Sequence, residues 1–162
     1  MRAAGLTAVA LLIALLLQTV LSQLAPQHAR AFDPFLLVLV YCGLAGGEVH
    51  GMLAGAAAGW VQDVQFGGPV AGVSALSKLL VGFGAGAAAG RFLLTGPGPR
   101  LALLLTAYLA DALLHHQLAA LFDLPRPPLA PGGLLVRGAA NALLGTAAYE
   151  LLEQRLRREA RP

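Results

Sequence analysis

Glycines recur every four residues between positions 51 and 91, and this segment most constrains how the chain can fold. They stand at Gly51, Gly55 and Gly59 in its first half and at Gly82, Gly86 and Gly90 in its second. A residue four positions further on returns to the same side of an α-helix, so each set lines one helix face. In lipid, helices associate largely through close backbone approach across small residues. We therefore predict two membrane helices joined by a turn at 67–69, with glycine faces that contact each other or form a partner interface.

The composition indicates an integral membrane protein. Hydrophobic residues make up 57% of the chain and charged residues only 12%, whereas a soluble domain carries about 25% charged residues. The single cysteine, Cys42, excludes an internal disulfide and a cysteine-based metal cluster. The arginines flank apolar segments, which favours a role in membrane orientation and contact with anionic lipid over nucleic-acid binding. We expect no cofactor and no bound metal.

Apolar segments extend along the whole chain and predict one transmembrane domain over residues 1–162, an all-α bundle of six transmembrane helices. The predicted spans are about 5–24, 34–47, 51–64, 70–90, 101–122 and 132–152. A cleaved signal peptide competes with the first span, but the segment is long for that role and 22–25 is a poor cleavage site. With the N-terminus in the cytoplasm, seven arginines fall inside and two outside. This excess predicts that both termini are cytoplasmic.

Six polar side chains fall at similar depth in the predicted outer half of the membrane. They form three pairs spaced by four residues, each on one helix face: Ser74 and Lys78, Asp111 and His115, Arg137 and Asn141. Isolated charges at this depth are costly, so these groups should face one another. Two interpretations stay open. The layer is a pocket or proton path, or it is structural, with Asp111 paired to Lys78 or Arg137.

Asp63 ends the third predicted span, where its carboxylate caps the turn or the start of the next helix, or is simply solvated. Signals for catalysis are weak. Lys78 lacks the Ser-x-x-Lys spacing, and the adjacent His115 and His116 diverge by about 100° on a helix. We therefore expect a protein that is not an enzyme.

Several segments together resemble the MreD family of rod shape-determining proteins. They are FDPFLL at 32–37, the glycine-spaced run that ends in Gln62-Asp63, GPVAGVSAL at 68–76 and VGF at 81–83. The resemblance covers roughly residues 10–92, and the fifth and sixth spans are similar only in hydropathy.

The resemblance implies a non-catalytic scaffold of the bacterial cell-elongation complex in the inner, cytoplasmic membrane. It implies binding to the bitopic protein MreC, with the MreB filament and the glycan polymerase and transpeptidase of lateral peptidoglycan synthesis nearby. The family is also similar in architecture to the substrate-binding components of energy-coupling-factor vitamin transporters. A small-molecule-binding transporter subunit, with the polar layer as its pocket, is therefore the alternative. An intramembrane enzyme is a third class, which would need a polar dyad at reaction distance.

Overall fold

The computed structural model describes residues 2–26, 32–66, 72–92, 94, 96–125 and 128–159. Over these residues the regular structure is entirely helical. The helical elements are α1 (Arg2–Leu24), α2 (Pro34–Phe66), α3 (Val73–Arg91), α4 (Pro97–Leu121) and α5 (Pro131–Glu159). The all-α prediction is confirmed, although the described chain forms five helical elements where six separate helices were expected. The predicted turn at 67–69 lies outside the described residues.

The predicted second and third spans form one helical element, α2, which reverses direction at a single residue. Gly47 has φ 78°, in the left-handed region that glycine adopts without steric cost. The rings of Phe35 and Phe66, near the two ends of α2, lie only 6.4 Å apart. A straight helix of 33 residues would be about 50 Å long. α2 is therefore a hairpin with an N-terminal arm (34–46) and a C-terminal arm (48–66), and the loop predicted at 48–50 is helical instead.

Within the described ranges, four of the helical elements are long and apolar enough to cross a membrane. They are α1 from Ala4 onward, the whole of α2, α3, and α4. The chain is thus a multi-pass membrane protein. α5 is not among them, because Arg137, Asn141 and its charged last turns lower its hydropathy below that of the others. α4 begins at Pro97, earlier than predicted, since proline suits the first turn of a helix.

The tightest packing in the described chain joins the C-terminal arm of α2 to α3. A Cβ atom on Gly51 would overlap the carbonyl oxygen of Gly82, and one on Gly55 would overlap that of Lys78. Gly59 faces the carbonyl of Ser74 in the same way. The two backbones therefore touch over three successive turns, as small residues allow.

In this packing the glycine faces contact each other, which was one of the two alternatives predicted for them. Five of the six are buried, and their faces are covered by the chain itself: Gly51, Gly55, Gly59, Gly82 and Gly86. Gly90 is exposed, and a Cβ there would meet no atom within 4 Å. The spacing alone could not distinguish an internal contact from an external one, because both need the same absence of side chains.

α1 lies against this core with most of its surface exposed. Its contact with α2 includes Thr7, whose hydroxyl lies 3.0 Å from Nε2 of His50 and 3.6 Å from Sγ of Cys42. Further along, Ala14 packs with Phe35 and Ala58 in a small buried cluster. α1 is thus held against both arms of α2, while the apolar side chains on its other faces suit contact with lipid.

Candidate functional site

A cavity of about 770 Å³ opens between the helices and collects most of the predicted polar layer. We call it the polar cavity. It is lined by side chains from all five helical elements, including five of the six predicted layer residues: Ser74, Lys78, Asp111, His115 and Arg137. The sixth, Asn141, is fully buried. A lining drawn from every helical element means that the shape of the polar cavity depends on the packing of the whole bundle.

Lys78 lies at the base of the polar cavity between two carboxylates. Its Nζ donates to Oδ2 of Asp33 at 2.6 Å and to Oδ2 of Asp111 at 2.7 Å. The Lys78 side chain is only 2% exposed, whereas each aspartate side chain is 16% exposed. We call these three residues the acidic triad, because one ammonium and two ionised carboxylates carry a net charge of −1. The arrangement joins α3 and α4 to the residue preceding α2.

The other carboxylate oxygens of the acidic triad also accept hydrogen bonds. Oδ1 of Asp33 accepts from the backbone N–H of Leu36 at 3.1 Å, as an N-cap residue does at the start of a helix. Oδ1 of Asp111 accepts from the buried Ser77 hydroxyl at 2.6 Å. Every carboxylate oxygen of the acidic triad therefore has a donor, which lowers the cost of holding these charges away from water.

Asn141 connects α5 to the same cluster. Its Oδ1 accepts a hydrogen bond from the backbone N–H of Asp33 at 2.8 Å, and its Nδ2 donates to the carbonyl oxygen of Arg137 at 2.9 Å. The hydrogen bond to Asp33 thus links α5 to the residue that precedes α2. Four of the five helical elements described here meet around the acidic triad.

Among the described residues, some members of the predicted layer form hydrogen bonds or ion pairs within the bundle, and others line the cavity wall. Of the two partners considered for Asp111, it is Lys78 that forms the ion pair. His115 and Arg137 keep exposed side chains on the cavity wall. In the chain as described, the Lys78 ammonium is held by two carboxylates and is not presented as a free base or nucleophile.

Sequence reasoning missed Asp33 and Ser77. The predicted second span begins at 34 and leaves Asp33 outside it, although an aspartate directly before a proline at a helix start is a recognisable N-cap signal. Ser77 is next to Lys78 in the sequence, but it belongs to none of the three predicted pairs of polar residues spaced by four. Its role depends on a hydrogen bond to Asp111, 34 positions along the chain, which no local pattern specifies.

Asp63 lies apart from the acidic triad and binds the start of α3. Its Oδ2 accepts hydrogen bonds from the backbone N–H groups of Gly72 at 2.7 Å, Ser74 at 3.1 Å and Ala75 at 3.2 Å. Asp63 is only 5% exposed. A carboxylate in this position satisfies N–H groups that have no partner within the helix and interacts favourably with the helix dipole.

Removing this carboxylate should destabilise the junction between α2 and α3. We expect Asp63→Ala to lower the free energy of unfolding by about 1–2 kcal/mol and Asp63→Asn to lower it less, because asparagine can still accept these hydrogen bonds. The measurement is thermal unfolding of the purified protein in detergent. Gln65→Ala, at an exposed position two residues further on, is the control and should leave the unfolding temperature unchanged. An equal effect of Asp63→Ala and Gln65→Ala would contradict the capping role.

A second polar group lies around Arg100, at the start of α4. The guanidinium donates to Glu150 at 2.9 Å and to Glu153 at 2.7 Å, and it lies 5.0 Å from the ring centre of Tyr149. The Tyr149 ring is in turn 4.7 Å from that of Tyr41. These contacts join α4, α5 and the N-terminal arm of α2, beside a smaller cavity of about 460 Å³. Within the described ranges, no group of three or more histidine, cysteine or acidic residues could hold a metal ion.

Comparison with protein families gives a match. Residues 3–124 match the model of a family described as rod shape-determining protein MreD. This range contains all of α1 except its first residue, the whole of α2 to α4, and the ion pair of Lys78 with Asp111. No curated protein and no solved structure matches the chain.

Proposed function

The chain belongs to the MreD family of rod shape-determining membrane proteins, and from this premise we propose that it is a non-catalytic scaffold of the bacterial cell-elongation complex. The observation that carries the proposal is the family match over 3–124, which coincides with four helical elements able to span a membrane. Membership implies association with the rod-shape complex. The finer role, organising lateral peptidoglycan synthesis by holding other membrane proteins, is our inference.

We propose six membrane crossings, formed by α1, the two arms of α2, α3, α4 and α5, in the inner membrane. The reversal at Gly47 supports counting the arms separately. The packing of α5 on α4 supports counting α5, since Asn141 of α5 bonds to Asp33, and Glu150 and Glu153 pair with Arg100. Both termini would then be cytoplasmic, which agrees with seven arginines inside against two outside.

We propose MreC as the direct partner, with the MreB filament and the elongation glycan polymerase and transpeptidase in the same assembly. The buried glycine faces are unavailable for this contact. The opposite side of the C-terminal arm of α2 exposes Leu53, Trp60 and Val64. An outward apolar face of this kind suits a transmembrane helix of a bitopic protein as well as it suits lipid.

Co-purification tests this function. We expect a tagged copy of the chain, solubilised from the bacterium that encodes it, to recover MreC, while a tagged multi-pass membrane protein of another pathway does not. Deletion of the gene should convert rods to spheres, and expression of the intact chain should restore rods. Rod-shaped growth of the deletion strain, or recovery without MreC, would contradict the scaffold role.

The polar cavity favours one alternative, a small-molecule-binding subunit of an energy-coupling-factor-type transporter. Its volume of about 770 Å³ lies within the roughly 300–1,000 Å³ of small-molecule sites. This alternative predicts that an ATPase module co-purifies in place of MreC. The same co-purification therefore separates the two functions.

A further inference from the structure

The polar cavity carries opposite charges on different walls. At its base, the Lys78 ammonium is enclosed, with 2% of the side chain exposed, while Asp33 and Asp111 each leave 16% of the side chain exposed. A molecule that enters the polar cavity therefore meets carboxylate oxygens before it meets the ammonium. The base is electronegative, because the acidic triad has a net charge of −1.

Arg137 of α5 forms the positive wall, and His115 of α4 lines the polar cavity as well. Both side chains are exposed to the polar cavity. Arg137 lies one helical turn before Asn141, whose Oδ1 accepts a hydrogen bond from the backbone N–H of Asp33, so this turn of α5 adjoins the acidic triad. Tyr108, three residues before Asp111 in α4, also lines the polar cavity. Arg137 and the acidic triad together have no net charge, but their charges are separated in space.

We propose that the polar cavity binds the phosphoethanolamine headgroup of a membrane lipid. A primary ammonium has three N–H donors, and each triad carboxylate oxygen can accept a further hydrogen bond. The phosphate would pair with the Arg137 guanidinium, whose planar donors match phosphate oxygens, and His115 would donate alongside it. A ligand with one positive and one negative group compensates both walls and leaves no buried charge unpaired.

The rest of the lining indicates a lipid instead of a soluble zwitterion. Phe66, Leu129 and Leu134 contribute apolar surface beside the charged groups. The cavity of about 770 Å³ has room for more than the headgroup, so the glycerol and first acyl methylenes would occupy the apolar part. A free amino compound would leave that surface in contact with water, which is unfavourable.

The binding can be measured by native mass spectrometry of the full chain, purified in detergent and depleted of lipid. The probes are phosphatidylethanolamine, phosphatidylcholine and phosphatidylglycerol with identical short acyl chains. We expect at least tenfold tighter binding of phosphatidylethanolamine, because a quaternary ammonium has no N–H donors and a glycerol headgroup has no positive charge. Arg137→Gln should weaken this binding roughly tenfold, as expected for loss of a hydrogen-bonded ion pair. Arg91→Gln makes the same charge change at an exposed position outside the polar cavity and should have no effect.

Three results would overturn the proposal. They are equal binding of the three lipids, equal effects of Arg137→Gln and Arg91→Gln, or full competition by soluble O-phosphoethanolamine at the concentration of the lipid, which would identify a free zwitterion as the ligand. His115→Gln offers a second variant, with a smaller expected loss. The measurement needs no partner protein and no cell-shape phenotype. The lipid proposal and the scaffold proposal can therefore fail independently.

Discussion

Gly55→Leu should prevent the C-terminal arm of α2 from packing against α3 and abolish the folded bundle. A Cβ atom at this position already overlaps the carbonyl oxygen of Lys78, and backbone atoms of a helix cannot move aside as the tip of a side chain can. Overpacking of an interior typically costs about 1–3 kcal/mol, and more where the obstacle is rigid. We expect at least about 3 kcal/mol here, with loss of monodisperse protein in detergent and spherical cells in complementation.

Gly84→Leu provides the matched control. Gly84 lies in α3, is exposed, and has no atom within 4 Å of a Cβ built upon it. Leucine at a lipid-facing helix position removes the conformational cost of glycine, about 0.8–1.0 kcal/mol, so stability should be equal or slightly higher. Size-exclusion profiles and thermal unfolding of the two variants provide the comparison. If Gly55→Leu and Gly84→Leu behaved alike, the close contact of α2 with α3 would be wrong.

The contrast between these two glycines shows what sequence reasoning can and cannot reach. The four-residue repeat predicts a helix face on which backbones approach closely, because helix geometry is local and periodic. It cannot identify what covers that face. In the structure the neighbouring helix of the same chain covers Gly55, whereas Gly84 breaks the repeat and faces outward.

The turn at Gly47 was beyond prediction for a related reason. Hydropathy indicated a boundary near 48–50, where Glu48 and His50 interrupt the apolar run. The chain reverses instead at one glycine in a left-handed conformation and continues as helix. Polar residues can end a span without ending a helix, since their backbone hydrogen bonds are unaffected.

The candidate site was predicted in part. Lys78 and Asp111 could be placed at similar depth by counting residues from the ends of their spans, and such buried charges need partners. The role of Asp33 could not be predicted in this way. Its bond to Lys78 joins residues 45 positions apart and depends on how the start of α2 packs against α3. The depth of a residue follows from one helix, whereas pairing follows from the packing of several.

Lys78→Met should be the most damaging substitution of a polar residue in the bundle. It removes the cation from between Asp33 and Asp111, whose carboxylates lie 2.6 Å and 2.7 Å from it. Breaking a buried ion pair by removing one partner typically costs about 3–5 kcal/mol, on the order of half the stability of a domain. We expect a large fall in unfolding temperature. The double variant Asp33→Asn/Asp111→Asn should also be destabilised, because it leaves the ammonium unpaired.

Combining the three substitutions should recover much of this loss. After Asp33→Asn the new side-chain amide can still accept from the Leu36 N–H as an N-cap, and after Asp111→Asn it can still accept from the Ser77 hydroxyl. Replacing a whole buried ionic group by neutral residues is often tolerated, whereas removing one member is not. Thermal unfolding of the single, double and triple variants, with Arg91→Met as an exposed control, measures the coupling. A triple variant no more stable than Lys78→Met would show that the three charges do not act as a unit.

The triple variant also distinguishes a structural role of the acidic triad from a role in lipid binding. It keeps the helix contacts but removes the carboxylates that would receive a lipid ammonium, so phosphatidylethanolamine should lose its advantage over phosphatidylcholine in this variant. If the folded triple variant still restores rod-shaped cells, the acidic triad serves packing, and the lipid is not needed for cell shape. If it folds but leaves the cells spherical, the charges are needed for function beyond stability. Complementation of the deletion strain, scored only for variants whose unfolding temperature has recovered, gives that result.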